Sequence, residues 1–234
     1  MDTEQQIADS LMRRYQNKDM ESRLGEEQFK MLFREAVKDY YPRLKEQYAD
    51  QSVYGISFEI ANVVQKIYYN DFHTVIYFNT EEQYQENIED CEEDEKSYYR
   101  FEAWAEWDVI DAKSPLFDKL QEYLQRYSLK SCLDFADYEN KLDEAAVAWY
   151  AEQELDFDDA FEDECEQIRL WIAKVLGELR REGFWEEQGN AGLYVLPFGG
   201  ECDIDKEELV RTWHEMDLDY HGTEFLDYLD SFDV

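Results

Sequence analysis

Residues 98–109 carry the alternation that most limits how this chain can fold. The segment reads YYRFEAWAEWDV. Its even-numbered positions are polar or amphipathic, and its odd-numbered positions are apolar: Tyr99, Phe101, Ala103, Ala105, Trp107 and Val109. Because side chains along a strand point alternately to two faces, a period of two predicts a half-buried β-strand. We expect this strand to lie at the centre of a sheet.

The rest of the chain supplies further strand patterns and several helical ones. Alternating or β-branched and aromatic runs predict strands over residues 54–60, 66–78 (one long strand or two short ones) and 192–198. Apolar residues at helical spacing predict helices over residues 2–20, 25–48, 114–127, 138–154, 155–181, 205–216 and 223–232. Pro42 should kink or split the second of these helices, because proline lacks the N–H. Ser114 is a fitting N-cap and Gly183 a fitting helix terminator.

These patterns together predict an α+β fold. We expect a mostly antiparallel sheet of about four strands, packed against several helices. No linker, repeat or low-complexity tract divides the chain, which favours a single domain over residues 1–234, with residues 1–22 as a loosely attached N-terminal helix. Aromatic residues make up 16% of the chain, enough to fill a core, so the pattern excludes intrinsic disorder despite the charge.

The net charge of −35 is the strongest constraint on function. A folded chain of this mass exposes roughly 11,000 Å², so the excess negative charges, if evenly spread, lie about 18 Å apart. That spacing exceeds the Debye length of about 8 Å, so only clustered charges could steer a partner. Such a surface repels nucleic acid and anionic membranes and suits a basic protein. High solubility and a salt-adapted proteome are the alternative explanations.

The first charge cluster is the tract Glu81–Glu95, which holds nine carboxylates and no base. Thr80 and Gln83 form a capping box, so a helix is predicted to begin here. As a helix, the tract would carry one charge per ~2.5 Å, close to the ~1.7 Å of duplex DNA. It is either a solvated helix end that frays after Asp90 or a binding surface. Its candidate partner-binding residues are Glu81, Glu82, Glu86, Glu89, Asp90, Glu92, Glu93, Asp94 and Glu95.

A second charge cluster runs from Glu152 to Glu166 and also holds nine carboxylates and no base. Phe157 and Phe161 are four residues apart, which favours a helix in this tract. Its candidate partner-binding residues are Asp156, Asp158, Asp159, Glu162 and Asp163.

Trp104 lies on the polar side of the predicted central strand, between Glu102 and Glu106. Tryptophan is enriched at interface hot spots, so these three residues are a further candidate partner-binding site beside the first acidic tract. The alternative is that a helix covers this face of the sheet.

No motif points to catalysis or to a metal. Residues 217–222 (DLDYHG) begin like a calcium loop, but the twelfth position would be Tyr228 where a bidentate glutamate belongs. Residues 203–207 (DIDKE) lack the glycine. His73 stands alone, His214 and His221 are seven residues apart and not in zincin spacing, and the sequence contains no HExxH, GxSxG, P-loop or GxGxxG. We predict no catalytic residue, metal site or cofactor; a carboxylate-dependent metal hydrolase is the alternative.

Cysteine usage and hydropathy favour a cytoplasmic protein. Cys91, Cys132, Cys165 and Cys202 form no CxxC pair, and the N-terminus carries no secretory signal. Reduced and mostly buried thiols fit this pattern. No apolar run approaches the ~20 residues that a membrane span needs.

The order of segments resembles the bacterial domain-of-unknown-function family 4303. The similarity lies in the helix over 25–48, the strand YGISFEI, the strand end FNTEE at 78–82, the aromatic segment WAEW at 104–107, and the helix-strand-helix order from Ile168 onward. It covers roughly residues 25–230. The glycine-rich turn usual between the family's first two strands is replaced here by residues 61–65. The resemblance implies no catalytic residues, and it implies an immunity role, since the family's members resemble proteins found beside polymorphic toxins.

The sequence therefore predicts a non-enzymatic acidic inhibitor, an immunity protein that neutralises a basic toxin. The acidic tracts would steer the partner, and an aromatic patch would add short-range affinity. One alternative is a DNA mimic that inhibits a nuclease, a restriction enzyme or a CRISPR-type phage-defence complex. The other is the metal hydrolase.

Overall fold

A computed structural model describes most of the chain. The described residues are 24–60, 74–92, 96–101, 108–111, 114–128, 157–196, 206–216 and 227. Several predictions lie outside them: the helices over 2–20 and 138–154, the first part of the strand over 66–78 with His73, and nearly all of the helix over 223–232.

Helix α1, Glu26–Gln47, confirms the first core-facing helix. Its buried side chains recur at helical spacing and form one stripe: Phe29, Phe33, Ala36, Val37, Tyr40, Tyr41 and Leu44. Pro42 does not split the helix, which continues for five residues beyond it to Gln47. The lost backbone hydrogen bond is therefore tolerated near the helix end, where α1 is held by the packing of Tyr41 and Leu44.

The sheet is mixed, with two antiparallel strand pairs and one parallel pair. Its strands are β1 (Val53–Ile60), β2 (Thr74–Thr80), β3 (Asp108–Asp111) and β4 (Tyr194–Leu196), in the order β3-β2-β1-β4. The β1–β2 and β2–β3 pairs are antiparallel, but β4 runs parallel to β1. Helices and a small sheet confirm the α+β class, and the predicted antiparallel arrangement is not matched. A strand that returns after a long helical segment can enter in either direction, and alternation does not encode which.

The prediction of a central strand over residues 98–109 is wrong. Residues Lys96–Phe101 form helix α3, residues 102–107 lie outside the described part, and only Asp108–Asp111 is a strand. That strand, β3, is at one end of the sheet order, and β1 and β2 are central. The physical reason is tertiary: Arg100 uses the helical turn to reach three tyrosines and a glutamate elsewhere in the fold. The alternation of residues 98–101 is only a weak preference for a strand, and the contacts of Arg100 override it.

The helix termini follow their local signals. Thr80 Oγ1 accepts a hydrogen bond from the Gln83 N–H at 3.2 Å and caps α2, Glu81–Asn87. Ser114 Oγ accepts from the Leu116 N–H at 3.2 Å and caps α4, Pro115–Tyr127. The predicted helix starts at both places are confirmed, because each depends on residues within one turn.

Three further helices complete the described chain. Helix α5, Phe157–Arg181, ends before Gly183, whose φ of 79° confirms the predicted left-handed terminator. The short α6 spans Phe184–Glu187, and α7 spans Lys206–Glu215, as the predicted helix over 205–216 requires. The apolar stripe of α5 is buried as predicted: Ile168, Trp171, Ile172, Val175, Leu176 and Leu179.

Aromatic contacts join α1, α4, α5 and the sheet into one core. The ring of Phe33 on α1 lies 5.9 Å from Phe58 of β1 and 6.5 Å from Phe117 of α4, both nearly edge-on. Phe29 lies 5.5 Å from Trp171 of α5. Edge-to-face pairs at these distances add to the burial energy of the rings themselves. The helical layer therefore packs on β1 through Phe58.

Helices α5 and α7 approach closely at Gly177. A Cβ at this position would lie 2.6 Å from the Glu215 carbonyl oxygen and 3.0 Å from the Met216 Cα, so only glycine permits the contact. Arg169 of α5 and Glu208 of α7 form a buried ion pair across the same interface. The close backbone approach and the ion pair thus hold α7 against α5.

Two of the four cysteines lie in the described residues. Cys165 is buried and Cys91 is half-buried, and the Cys91 thiol donates to the Asn87 carbonyl oxygen at 3.0 Å. Among the described helices, none combines the length and the apolar character that a bilayer crossing requires.

Candidate partner-binding surface

The first acidic tract begins where β2 ends. Glu81 is the first residue of α2, and the helix stops at Asn87, well short of the fifteen-residue helix considered from the sequence. Residues 88–90 form a turn, and Glu93, Asp94 and Glu95 lie outside the described residues. We call the exposed carboxylates of α2 and its turn the α2 acidic surface: Glu82, Glu86, Glu89 and Asp90. Glu92 is exposed just beyond it.

Most of the α2 acidic surface is not neutralised from within. Within the described part of the chain, Glu86, Glu89 and Asp90 form no ion pair. Glu82 is fixed instead by neutral donors, since its carboxylate accepts from the Ser52 hydroxyl at 2.8 Å and the Ser52 N–H at 3.0 Å. The hydroxyl bond lowers the pKa of Glu82, so this group stays charged in mild acid.

Glu81 differs from its neighbours because it is paired. Its Oε2 accepts from Arg100 Nη1 at 3.1 Å, and its Oε1 accepts from Gln85 Nε2 at 3.0 Å. Glu81 is therefore part of the fold's internal bonding rather than of the exposed charge.

Arg100 forms a cluster that sequence reasoning missed. Its guanidinium carbon lies 4.2 Å from the ring centroid of Tyr54, 5.0 Å from Tyr84 and 5.6 Å from Tyr194. A guanidinium on aromatic faces is a stabilising cation–π arrangement. It ties α3 to β1, α2 and β4, so the acidic segment between α2 and α3 is anchored at both ends. The sequence signal was a base five residues after the acidic tract, in a segment that alternation assigned to a strand.

Tyr54 is one of the two buried tyrosines of this cluster, with Tyr194. Its hydroxyl accepts from Asn79 Nδ2 at 3.0 Å and lies 3.4 Å from the Arg100 carbonyl oxygen, to which it can donate. Burial raises the pKa of Tyr54 well above its usual value, although the nearby Arg100 charge acts in the opposite direction. Tyr54 is therefore a neutral phenol throughout the physiological pH range.

A cleft of about 480 Å³ opens beside the α2 acidic surface. It lies between the C-terminal end of α1, the start of β1, the first residue of α2 and the loop before β4. Its lining residues are Tyr41, Leu44, Lys45, Tyr48, Ala49, Gln51, Ser52, Val53, Tyr54, Glu81, Gly189, Asn190 and Gly192. Because Ser52 lines the cleft and also binds Glu82, the cleft and the α2 acidic surface are continuous.

Hydrogen bonds and ring contacts hold the cleft walls. Asn190 Nδ2 donates to the Val53 carbonyl oxygen at 2.9 Å and lies 3.5 Å from the Tyr41 hydroxyl. The Lys45 ammonium donates to the Gln188 carbonyl oxygen. Tyr48 packs on Phe78 with ring centroids 4.4 Å apart. The loop before β4 is therefore attached to both α1 and β1.

The structure describes the side chains of only three carboxylates of the second acidic tract: Asp163, Glu164 and Glu166. Asp158, Asp159 and Glu162 belong to the first turns of α5, and Asp156 lies outside the described residues. Asp163 is exposed, but Glu164 is buried and Glu166 pairs with Arg211 of α7 at 2.6 Å. The structure does not make this tract a uniform charged face, so we assign the candidate surface to the first tract.

The predicted Trp104 anchor and its neighbours Glu102 and Glu106 lie outside the described residues, and their role stays a prediction. The two DxD sequences, within 203–207 and 217–222, also fall there except for the last two residues of the first. In the part of the chain that the structure describes, no group of three or more His, Cys, Asp or Glu side chains converges as a metal site would require.

No protein-family model, curated protein or solved structure matches this chain. The resemblance to family 4303 therefore stays a prediction. What the protein binds has to be argued from the α2 acidic surface and the cleft beside it.

Proposed function

We propose that this protein is a non-enzymatic inhibitor that binds a basic protein through the α2 acidic surface. The observation that carries the proposal is the grouping of Glu86, Glu89 and Asp90. All three are exposed within five residues, and none has an ion pair in the described part of the chain.

The spacing of these carboxylates makes them act together. Glu86 is on α2, and Glu89 and Asp90 lie in the turn that follows it, where the Glu89 N–H donates to the Glu86 carbonyl oxygen at 3.4 Å. Such a turn brings the two Cα atoms within about 7 Å, shorter than the physiological Debye length of about 8 Å, so the fields of these neighbouring carboxylates add instead of being screened singly. Evenly spread charges would lie farther apart than the Debye length, whereas the charges of the α2 acidic surface lie closer together than that. The α2 acidic surface can therefore steer a positively charged partner.

The partner's chemistry follows from the sign of the charge. Clustered carboxylates repel phosphate groups, which disfavours nucleic acid and anionic membranes as direct ligands. A basic protein gains from the same field both in association rate and in specificity. Toxin neutralisation is the form of this function that the family 4303 resemblance implies, and DNA mimicry is the competing form.

A direct binding test uses a short polylysine peptide as the basic probe. We compare the wild type with an α2-neutral variant, Glu86→Gln/Glu89→Gln/Asp90→Asn. The matched control, Glu27→Gln/Glu35→Gln/Glu122→Gln, removes the same charge from exposed positions on α1 and α4. Fluorescence anisotropy at low salt should show weaker binding for the α2-neutral variant than for the control. Equal weakening in both would contradict a localised surface.

A cellular test separates immunity from DNA mimicry. The protein should protect cells from a basic toxin encoded beside its gene, and the α2-neutral variant should protect less than the matched control. A DNA mimic would instead compete with duplex DNA for several unrelated DNA-binding proteins. Competition of that kind without toxin protection would replace the immunity proposal.

A further inference from the structure

Helix α2 carries most of the α2 acidic surface, but little within the helix itself holds it in place. It is seven residues long, and none of its side chains is buried. Isolated helices shorter than about 12 residues are marginal in water, and most helices in proteins are stabilised by packing an apolar face. The position of α2 therefore depends on contacts with the rest of the fold.

The charges of α2 make this dependence stronger. Glu82 and Glu86 are four residues apart, and like charges at this spacing destabilise a helix. Glu86, Glu89 and Asp90 lie at the C-terminal end of α2 and in the turn after it, where the helix dipole disfavours negative charge. The last turn of α2 contains no base. The residues that make α2 a binding surface thus also act against its helical structure.

Ser52 and Thr80 hold the N-terminal turn of α2. The Glu81 N–H donates to the Ser52 carbonyl oxygen at 2.9 Å, and Ser52 binds the Glu82 carboxylate. The Thr80 hydroxyl accepts from the Gln83 N–H. These contacts leave the residues after Gln83 to be held by other means.

Arg100 holds α2 farther along the helix. Its guanidinium donates to Glu81 at 3.1 Å and lies 5.0 Å from the ring centroid of Tyr84, three residues on. The same guanidinium lies 4.2 Å from the ring of Tyr54 on β1 and 5.6 Å from that of Tyr194 on β4. Because β1 and β4 belong to the sheet, Arg100 joins one face of α2 to the core.

We propose that Arg100 is a positioning residue for the α2 acidic surface, a proposal that rests on the function proposed above. Arg100 holds α2 so that Glu86, Glu89 and Asp90 keep one arrangement before a partner arrives. Groups that are ordered in advance bind more tightly, because binding then costs less conformational entropy. Although Arg100 is itself a base, it supports the binding of a basic partner, which is the opposite of what its charge alone predicts.

The test compares two variants that each raise the net negative charge by one. Arg100→Met removes the guanidinium from α2, and the matched control Arg126→Met removes an exposed arginine of α4 that lies 5.3 Å from the ring of its neighbour Tyr127. Charge alone predicts that both variants bind the polylysine peptide slightly more tightly than the wild type. In fluorescence anisotropy, Arg100→Met should instead bind about threefold to tenfold more weakly than Arg126→Met. Equal or tighter binding by Arg100→Met would overturn the proposal.

Hydrogen exchange shows whether α2 is the element that Arg100 holds. In Arg100→Met, the amides of residues 84–87 should exchange faster than in the wild type, while those of α1 keep their protection. Unchanged exchange at residues 84–87 would refute the positioning role.

A conservative variant covers the case in which Arg100→Met also loses protection in α1 and is destabilised as a whole. Arg100→Lys keeps the charge, and its ammonium can pair with Glu81, but it stacks less well on aromatic rings. It should bind polylysine about threefold more weakly than the wild type at the same net charge. Binding equal to that of the wild type would overturn the proposal.

Failure of this proposal is distinguishable from failure of the proposed function. If the α2-neutral variant binds polylysine more weakly than its own control, but Arg100→Met binds as tightly as Arg126→Met, the function stands and the positioning role is wrong. If the α2-neutral variant and its control bind equally, the proposed function falls, and the role of Arg100 in binding falls with it.

Discussion

Carboxylates are paired with bases at the α1–α5 interface but are mostly unpaired on the α2 acidic surface. Across the interface, acidic and basic side chains alternate in what we call the charge ladder: Lys30, Arg34, Lys38, Glu178 and Glu182. Lys30 and Arg34 lie 2.8 and 2.9 Å from the oxygens of Glu178. On the α2 acidic surface, by contrast, no base faces Glu86, Glu89 or Asp90 within the described residues.

The chain has 58 acidic and only 23 basic residues, so most carboxylates have no base to pair with. The difference between the two regions shows where the bases are used. Most ion pairs within the described residues involve α1 or α5, and they neutralise carboxylates where two helices pack. Among the bases that the structure describes, only Arg100 forms an ion pair with α2, and its partner is Glu81 rather than one of the exposed acids. The charge excess is therefore unevenly distributed, and Glu86, Glu89 and Asp90 form one group of unpaired carboxylates beside the cleft.

The largest expected effect concerns the buried pair between α5 and α7. Arg169→Ala should lower the free energy of unfolding by about 3 kcal/mol, because it leaves the Glu208 carboxylate buried without its guanidinium. Urea unfolding measures the loss. The double variant Arg169→Met/Glu208→Leu removes both charges and should recover most of the stability. If the single variant is as stable as the wild type, pairing does not govern this layer.

Gly177→Ala should cost about 1–3 kcal/mol of unfolding free energy, because the added methyl group collides with the backbone at Glu215 and Met216. The matched control is Gly192→Ala, where the methyl group enters open space and stability should change by less than about 0.5 kcal/mol. Thermal unfolding compares them. Equal stability of the two variants would show that α7 can shift on α5 to accommodate the methyl group, and that the close approach at Gly177 does not contribute to stability.

Removing a base from the charge ladder should have a smaller effect than either change. Arg34→Met leaves Glu178 and Glu182 with Lys30 and Lys38 alone and should cost up to about 1 kcal/mol, since the side chains are partly exposed. The α2-neutral variant should not lose stability in the same urea assay, because it removes repulsion rather than attraction. A comparable loss in the α2-neutral variant would erase the contrast between the two regions.

The smallest effect is the pH dependence of the charge ladder. Hydrogen bonding to Arg34 lowers the pKa of Glu182 below 4.5, so its contribution is present above that pH and lost as pH falls through the lowered value. Hydrogen bonding to Glu178 raises the pKa of Lys30 above 10.5, so its contribution is lost as pH rises beyond the raised value. On the acid side, the unfolding midpoint of Glu182→Gln should depend less on pH than that of the wild type, and that of Glu35→Gln should follow the wild type. The same pH dependence in both variants would show that the charge ladder does not contribute to acid stability.

Local signals predicted the elements that depend on neighbouring residues. The stripe containing Phe29, Phe33 and Val37 predicted α1, and the Thr80 and Ser114 caps predicted two helix starts, because each pattern is complete within a few turns. The segment at residues 98–101 failed for the opposite reason. Its helix depends on Arg100 reaching tyrosines far away in the sequence.

The candidate site could be predicted only in part. The acidity of Glu86, Glu89 and Asp90 is visible in the sequence, but whether a base neutralises them depends on helix packing. The cleft could not be predicted at all, since residues as distant as Tyr41, Glu81 and Gly192 meet only in the folded chain. The parallel pairing of β4 with β1 is likewise a property of the long connection before it.

The salt dependence of association tests the central claim most directly. Stopped-flow measurement of polylysine binding gives the association rate over a range of ionic strength for the wild type, the α2-neutral variant and the matched α1 and α4 control. The unpaired α2 carboxylates predict that the α2-neutral variant associates more slowly and with a flatter dependence on salt, while the control stays close to the wild type. Parallel salt dependences for the two variants would contradict the account, because the charge would then act as an undivided whole.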